Sequence, residues 1–184
     1  MSAAEEFIQH LEKLKDGERS RLRRLAGRPL DDSLPGFDLF TGLWWPLREK
    51  SPAAPRRETS WLVAKLWGAF PIPHLREAAA CLPALLGRCE PRDEHGRARF
   101  RDRFDALLLS RLSALEPCLR WALSVVADAV AAGTARGVDW ADLLDDLSNW
   151  DRGEGNGHGR DVGEIWTEKY LAAVHQKGRA SHAD

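Results

Sequence analysis

The side chains in this sequence best suited to chemistry are its arginines, and they come in groups. Arg19, Arg21, Arg23, Arg24 and Arg28 lie within ten residues, with no lysine among them and Glu18 as the neighbouring acid. Arg56 and Arg57 close a proline-rich stretch just ahead of a helical pattern. Arg99, Arg101 and Arg103 alternate along a third segment, and Arg111 and Arg120 follow it singly. Arg160 borders a glycine-rich run, Gly153 to Gly159. A guanidinium is planar, permanently charged and presents five N–H donors in a fork, which suits bidentate contact with phosphate. It does not make or break bonds. The chemistry on offer is therefore retention of an anionic backbone, or else a set of solvated helix faces in which Asp102 and Asp105 pair with arginines one turn away.

Other chemistries do not fit the spacing. Asp139, Asp142, Asp145, Asp146 and Asp151 suggest a magnesium site by composition, but helical geometry spreads them over a polar, solvated face. Cys89, Asp93 and His95 match no paired zinc-ligand spacing. The run Gly153-Glu154-Gly155-Asn156-Gly157-His158-Gly159 has no Lys-Ser/Thr after it and no strand before it, so it is not a phosphate-binding P-loop. The six histidines are scattered, and none stands where a partner would orient it as a base. The sequence thus points to no catalytic residue, no metal and no cofactor.

The elements that position the arginines read as helices. Ser2 and Glu5 form a capping box before the apolar stripe Phe7, Leu11, Leu14. Gly17 punctuates, and Leu22 and Leu25 continue the seam through the first arginine group. Asp31–Gly36 reads as a connection, and Phe37, Leu39, Phe40, Leu43, Trp44 and Trp45 as an aromatic cluster for core packing or a subunit face rather than base stacking. Glu58–Phe70 is a helix ended by Pro71 and Pro73, and Leu75–Leu86 is predicted as a shorter one. Arg97–Leu112 is the second basic helix, with Phe100, Phe104, Leu107 and Leu108 inward, Arg99 and Arg103 on one flank and Arg101 on the other. Pro117 starts the next helix and Gly133 ends it. Arg120 stands near that start, within reach of Glu116 or Asp128.

Asp139 caps a helix whose apolar face is Trp140, Leu143, Leu144, Leu147 and Trp150. After the glycine run, Val162, Ile165, Trp166 and Tyr170 form a second stripe. Neither stripe is stable in water alone, so the two helices should pack together. No segment sustains the two-residue alternation of a strand.

The expected fold is all-α, a helical bundle of about eight to nine helices with no sheet. It is one compact unit over residues 1–184, with N-terminal (1–90) and C-terminal (97–176) halves. With 43% hydrophobic residues over 184 positions the chain can bury a core, and eight tryptophans favour deep helix contacts. The formal charge of −1 excludes a globally basic nucleic-acid binder, so any such binding must come from local patches. Three cysteines without framework spacing indicate a reducing cytoplasm. The most apolar run, Pro117–Ala132, carries Arg120 and Asp128 and is too short to span a membrane.

Five stretches, in order, resemble one family. They are GERSRLRRLAG (Gly17–Gly27), SWLVAKLWGAFP (Ser60–Pro71), RARFRDRFDALLLS (Arg97–Ser110), CLRWALSVVADA (Cys118–Ala129) and VDWADLLDDLSNW followed by W-x-x-x-Y (Val138–Trp150, Trp166–Tyr170). Together they are similar to the small subunit of type I-E CRISPR surveillance complexes, the CasB-type Cse family of Cascade. One departure is that Arg103 stands alone before Phe104, where the family pattern often has two adjacent arginines. The resemblance implies a non-catalytic subunit that holds crRNA, target DNA and the displaced strand by their phosphate backbones, without base specificity. It implies contact with other Cascade subunits and a homodimer within the complex. The competing reading is a helical protein–protein adaptor whose arginines are solvated and touch no nucleic acid.

Overall fold

The computed structural model describes residues 2–28, 34–52, 54–151 and 161–180, with the backbone alone for 34–37 and 180. Among these residues are nine α-helices, two short 3-10 turns and no strand. The helices are α1 (Ala3–Glu12), α2 (Asp16–Arg24), α3 (Leu34–Lys50), α4 (Arg57–Ala69), α5 (Leu82–Cys89), α6 (Glu94–Leu108), α7 (Glu116–Ala131), α8 (Trp140–Asn149) and α9 (Val162–Ala180). The fold is the all-α bundle that the periodicity predicts.

Local chemistry sets several of the boundaries. Ser2 Oγ accepts from the Glu5 N–H at 3.2 Å, and Glu5 reaches back to the Ser2 N–H at 2.8 Å, so two free donors of α1 are satisfied reciprocally. Asp139 accepts from the N–H groups of Ala141 and Asp142 and starts α8. Asp93 does the same for α6 through the Gly96 N–H, three residues earlier than the apolar pattern alone indicates. Gly133 ends α7 with φ +74°, a conformation open to glycine at no steric cost.

Two stretches differ from the sequence expectation, each through a proline. Leu75–Leu86 is not one helix: it runs extended, makes a 3-10 turn at Ala78–Ala80, and begins α5 at Leu82. A helix through this region would need an N–H at Pro83, which has none, whereas Pro83 fits the first turn of a new helix. The extended piece is held by Leu75 N–H to Val138 O and Val138 N–H to Pro73 O, both 3.0 Å, an isolated bridge rather than a sheet. Conversely, α3 takes in Pro35 and Gly36, expected in a connection, and continues through Pro46. Leu43 and Leu47, anchored in the core on either side of Pro46, hold the helix together across the missing donor.

The helix α4 is the axis of the packing. Every residue from Thr59 to Gly68 is buried, and α2, α3 and α8 all lie against it. The helix α5 is clasped between α9 and α7. One continuous apolar core draws on all nine helices, from Phe7 and Leu11 through Leu66, Leu86, Phe104 and Leu123 to Leu144 and Trp166. Each such side chain contributes roughly 1.5–3 kcal/mol on burial. Two helix glycines allow close helix–helix approach. A Cβ on Gly68 would stand 2.8 Å from the Leu22 Cβ, and one on Gly87 would stand 2.9 Å from the Ala173 Cβ and overlap the Tyr170 carbonyl oxygen.

Gly87→Ala should therefore lower stability by about 1–3 kcal/mol, because rigid backbone on α9 cannot yield to the added methyl. A urea melt with an unchanged midpoint would contradict this account of the α5–α9 contact.

Candidate nucleic-acid interface

The cations fall into two populations. One set is paired with acids: Lys50 to Glu6 at 2.8 Å, Arg76 to Glu5 at 2.7 Å, Arg136 to Glu77 at 2.6 Å, Lys169 to Asp142 at 3.4 Å and Arg57 to Glu58 at 3.4 Å. The other set has no described carboxylate within 4.0 Å. It includes Arg21, Arg23, Arg24 and Arg28 on and after α2, Arg56 before α4, Arg99 and Arg103 on α6, Arg111 before α7 and Arg120 on it, and also Lys13, Lys15, Arg48, Arg88, Arg92 and Arg97. Neither Asp102 nor Asp105 pairs with an arginine of its own helix. Arg160 lies outside the described residues.

The close α2–α4 contact at Gly68 turns the arginine face of α2 outward. Arg23, Arg24 and Arg28 are exposed, and Arg21 is half-buried. Arg19 lies over the Trp67 ring at 4.0 Å, which fixes one guanidinium without neutralising it. On α6, Arg99 and Arg103 border a shallow cleft of about 470 Å³ whose walls are Phe100 and Trp121, edge to face at 5.1 Å. Arg103 sits 5.9 Å from the Trp121 centroid. Cations beside a partly exposed indole match what a backbone with stacked bases requires.

Arg101 leaves on the opposite flank of α6. Its guanidinium holds Glu90, 2.5 Å from Nε, and Tyr170 donates its hydroxyl to the same carboxylate at 2.7 Å. Burial pushes the Glu90 carboxyl up, but the hydrogen bonds and charge of Arg101 and the bond from Tyr170 outweigh it, so the group stays below the usual range. Burial and Glu90 together raise the Tyr170 hydroxyl. Arg101 thus closes the α5–α6–α9 junction.

Arg57 and Arg111 meet at a larger cleft of about 680 Å³, where Lys65 joins them. Its acids are Glu58, Glu116 and Asp151, so three positive charges face three negative ones and the cleft carries no net charge. Lys65 is a determinant that the periodicity does not single out. It is 3% exposed, donates to Glu116 at 2.7 Å and to the Arg28 carbonyl at 2.9 Å, and Glu116 also accepts from the Gly27 N–H. Glu116, a candidate partner for Arg120, is committed to Lys65 instead. The signal in the sequence is a lysine inside an unbroken apolar run, Trp61 to Trp67.

The aspartate face of α8 is less solvated than its composition implies. Asp146 accepts from the Trp166 indole N–H at 2.6 Å, and Asp142 pairs with Lys169. Among the described residues no group of three His, Cys, Asp or Glu side chains is placed to hold a metal ion. In the aromatic cluster of α3, Phe40 packs into the core against Trp44 and Trp61, whereas Trp45 is 53% exposed. No helix of the described residues is long and apolar enough to cross a membrane.

The chain is an all-α bundle that presents exposed arginines on α2 and α6. The family model of CRISPR-associated protein Cse2 matches residues 18–170, and the chain belongs to that family. The fold is similar to the crystal structure of CasB from M. ruber: 20% identity, TM-score 0.76, covering 98% of this chain and 99% of that one. It is also similar to a CRISPR-associated protein of the Cse2 family from Thermus thermophilus, at 26% identity and TM-score 0.65, covering 94% and 99%. CasB from Thermus thermophilus aligns with the same coverage at 25% identity and TM-score 0.65. Among curated proteins none matches the chain.

Two outcomes are expected here. Lys65→Met should cost about 3 kcal/mol in a denaturant melt, because it strands Glu116, and Lys65→Met with Glu116→Gln should cost clearly less than the sum of the single changes. Burial and the charge of Asp142 push Asp146 up to about 6, against the lowering effect of Trp166 and Lys169. Its proton stabilises the fold fully below the ordinary carboxylate range, and that contribution is lost as pH rises through about 6. Asp146→Asn should therefore raise Tm relative to the parent at pH above 7, and the gain should shrink toward pH below 5; a pH-independent difference would contradict the assignment.

Proposed function

We propose that the chain, by family a subunit of a CRISPR Cascade complex, is its non-catalytic strand-holding small subunit. It retains crRNA, target DNA and the displaced strand by their phosphates, beside other Cascade subunits and a second copy of itself, in the cytoplasm. The observation that carries this reading is the segregation of charge. In a chain of net charge −1, Arg23 and Arg24 on α2 and Arg99 and Arg103 on α6 stand exposed with no described carboxylate within 4.0 Å. Exposed guanidiniums grouped on one helix face without a carboxylate partner are placed for an external anion. Sequence discrimination is then left to guide pairing, and the protein reads only backbone.

One observation favours a protein-docking role alongside this one. Trp45 presents half of a large apolar ring to solvent on α3, next to the packed Trp44. A Cascade subunit must dock neighbours as well as hold strands, so both roles can sit on one chain. Docking also raises the effective concentration of weak phosphate contacts.

Arg23→Glu with Arg24→Glu, or Arg99→Glu with Arg103→Glu, should weaken retention of a single-stranded oligonucleotide in gel-shift titration while circular dichroism stays unchanged. Parent affinity should fall with salt at a log–log slope near ~−0.7 per phosphate held. Unaltered binding by both double variants, or a flat salt response, would leave the adaptor role as the better account.

A further inference from the structure

The cleft between α6 and α7 holds an aromatic arrangement that the arginines beside it do not account for. Gly96, Arg99, Phe100, Asp102 and Arg103 on α6 and Trp121 on α7 line a space of about 470 Å³. That lies within the ~300–1,000 Å³ usual for small-ligand clefts. Phe100 is rooted in the core and meets Trp121 edge to face, with centroids 5.1 Å apart and ring planes at 68°. Trp121 is half-buried; it packs on the core and also lines the cleft. Its plane is therefore fixed before any ligand arrives, which lowers the ordering cost of binding.

Two further observations set this indole apart. Trp44, Trp61, Trp140, Trp150 and Trp166 each donate the indole N–H to an acceptor within the protein. The Trp121 N–H has no hydrogen bond among the described residues. Nor is it buried, since Ser60 Oγ is the one buried side-chain polar atom without a partner among them. The second observation concerns the neighbouring arginine. Arg19 lies close over the Trp67 ring at 4.0 Å, whereas Arg103 stands 5.9 Å from the Trp121 centroid, near the ~6 Å limit of such an interaction. The Arg103 guanidinium is beside the indole without covering it closely.

We infer that Trp121 is a stacking platform for one unpaired nucleobase. The presence of a strand rests on the proposed function; the base contact comes from the indole and its surroundings. A phosphate is not the group this wall suits, because the Asp102 carboxylate stands in it and repels an anion. A neutral planar base meets no such repulsion. It gains the apolar face of the indole, a free N–H donor and a guanidinium beside its own ring. A base inside a duplex is covered on both faces by its neighbours, so the ligand is an unpaired nucleotide. Every base offers a π-face, so the contact adds affinity without reading sequence.

The full chain is titrated in gel shifts with a twelve-residue oligothymidylate and with an abasic deoxyribose-phosphate strand of the same length, while circular dichroism monitors folding. The parent should bind the oligothymidylate about tenfold or more tightly than the abasic strand. Trp121→Leu should weaken the oligothymidylate alone and bring the two affinities together, with an unchanged salt slope because no phosphate contact is lost. Trp121→Phe should restore much of the difference. Arg99→Ala with Arg103→Ala should weaken both strands and make the slope shallower. If Trp121→Leu unfolds the chain, the parent labelled with 5-fluorotryptophan takes its place. The fluorine resonance of Trp121, identified by its absence from Trp121→Phe, should then shift with oligothymidylate and not with the abasic strand. A folded leucine variant that keeps the parent's preference, or an unmoved Trp121 resonance, overturns the platform. Equal binding of the two strands by the parent also overturns it and leaves the proposed function standing. A parent that binds neither strand sinks the strand-holding reading, and the platform with it.

Discussion

A charge taken out of water must find a counter-charge and enough acceptors or donors within reach, and two helix junctions of this bundle are arranged around that demand. At the first, the Lys65 ammonium, Glu116 and the Gly27–Arg28 backbone tie the end of α2 to α4 and the start of α7. At the second, Glu90, Arg101, Tyr170 and Lys177 tie the end of α5 to α6 and α9. Apolar packing is non-directional and would tolerate several offsets between these helices. Ion pairs hydrogen-bonded on both sides tolerate few. The junctions therefore set the register in which α2 and α6 present their outward faces.

That register decides what the surface can do. Several acids of this chain are engaged with particular cations: Glu5 with Arg76, Glu6 with Lys50, Glu77 with Arg136, Glu90 with Arg101, Glu116 with Lys65. A nearly neutral protein can thus still expose arginines in groups, Arg23 and Arg24 on α2 and Arg99 and Arg103 on α6. Net charge says little about binding in such a molecule; the pairing pattern says more.

Much of the fold is legible in the residues, and the reasons are local. Ser2 with Glu5, Asp139, Pro117 and Gly133 act within one turn, so their boundaries follow from sequence. The stripe from Trp140 to Trp150 is buried as its spacing predicts. The departures from expectation also have local causes. Pro83 overrides the apolar run in Leu75–Leu86, and core anchoring overrides Pro35 and Pro46 in α3. The candidate site is legible only as groups of arginines. Which of them are engaged depends on contacts across the fold. Glu90 meets Arg101 only because α5 turns sharply into α6, and Lys65 meets Glu116 across 51 positions. No short window of sequence contains the Lys65–Glu116 pair. The two flanks of α6 are readable from helical periodicity, but not that one flank closes a junction while the other faces an open cleft.

The tryptophans lead to a point about tolerance. Four indole N–H groups donate to main-chain oxygens: Trp44 to Pro55, Trp61 to Arg28, Trp140 to Ile72 and Trp150 to Ser110. Each acceptor lies on an irregular connection or a helix end. A carbonyl is supplied by every amino-acid type, so what is demanded of these loops is a path, not a particular side chain. The indoles stapling them down are rooted in helices, where the core already dictates position. Loop residues in this architecture are accordingly free to drift, while the bundle goes on holding them along the same route.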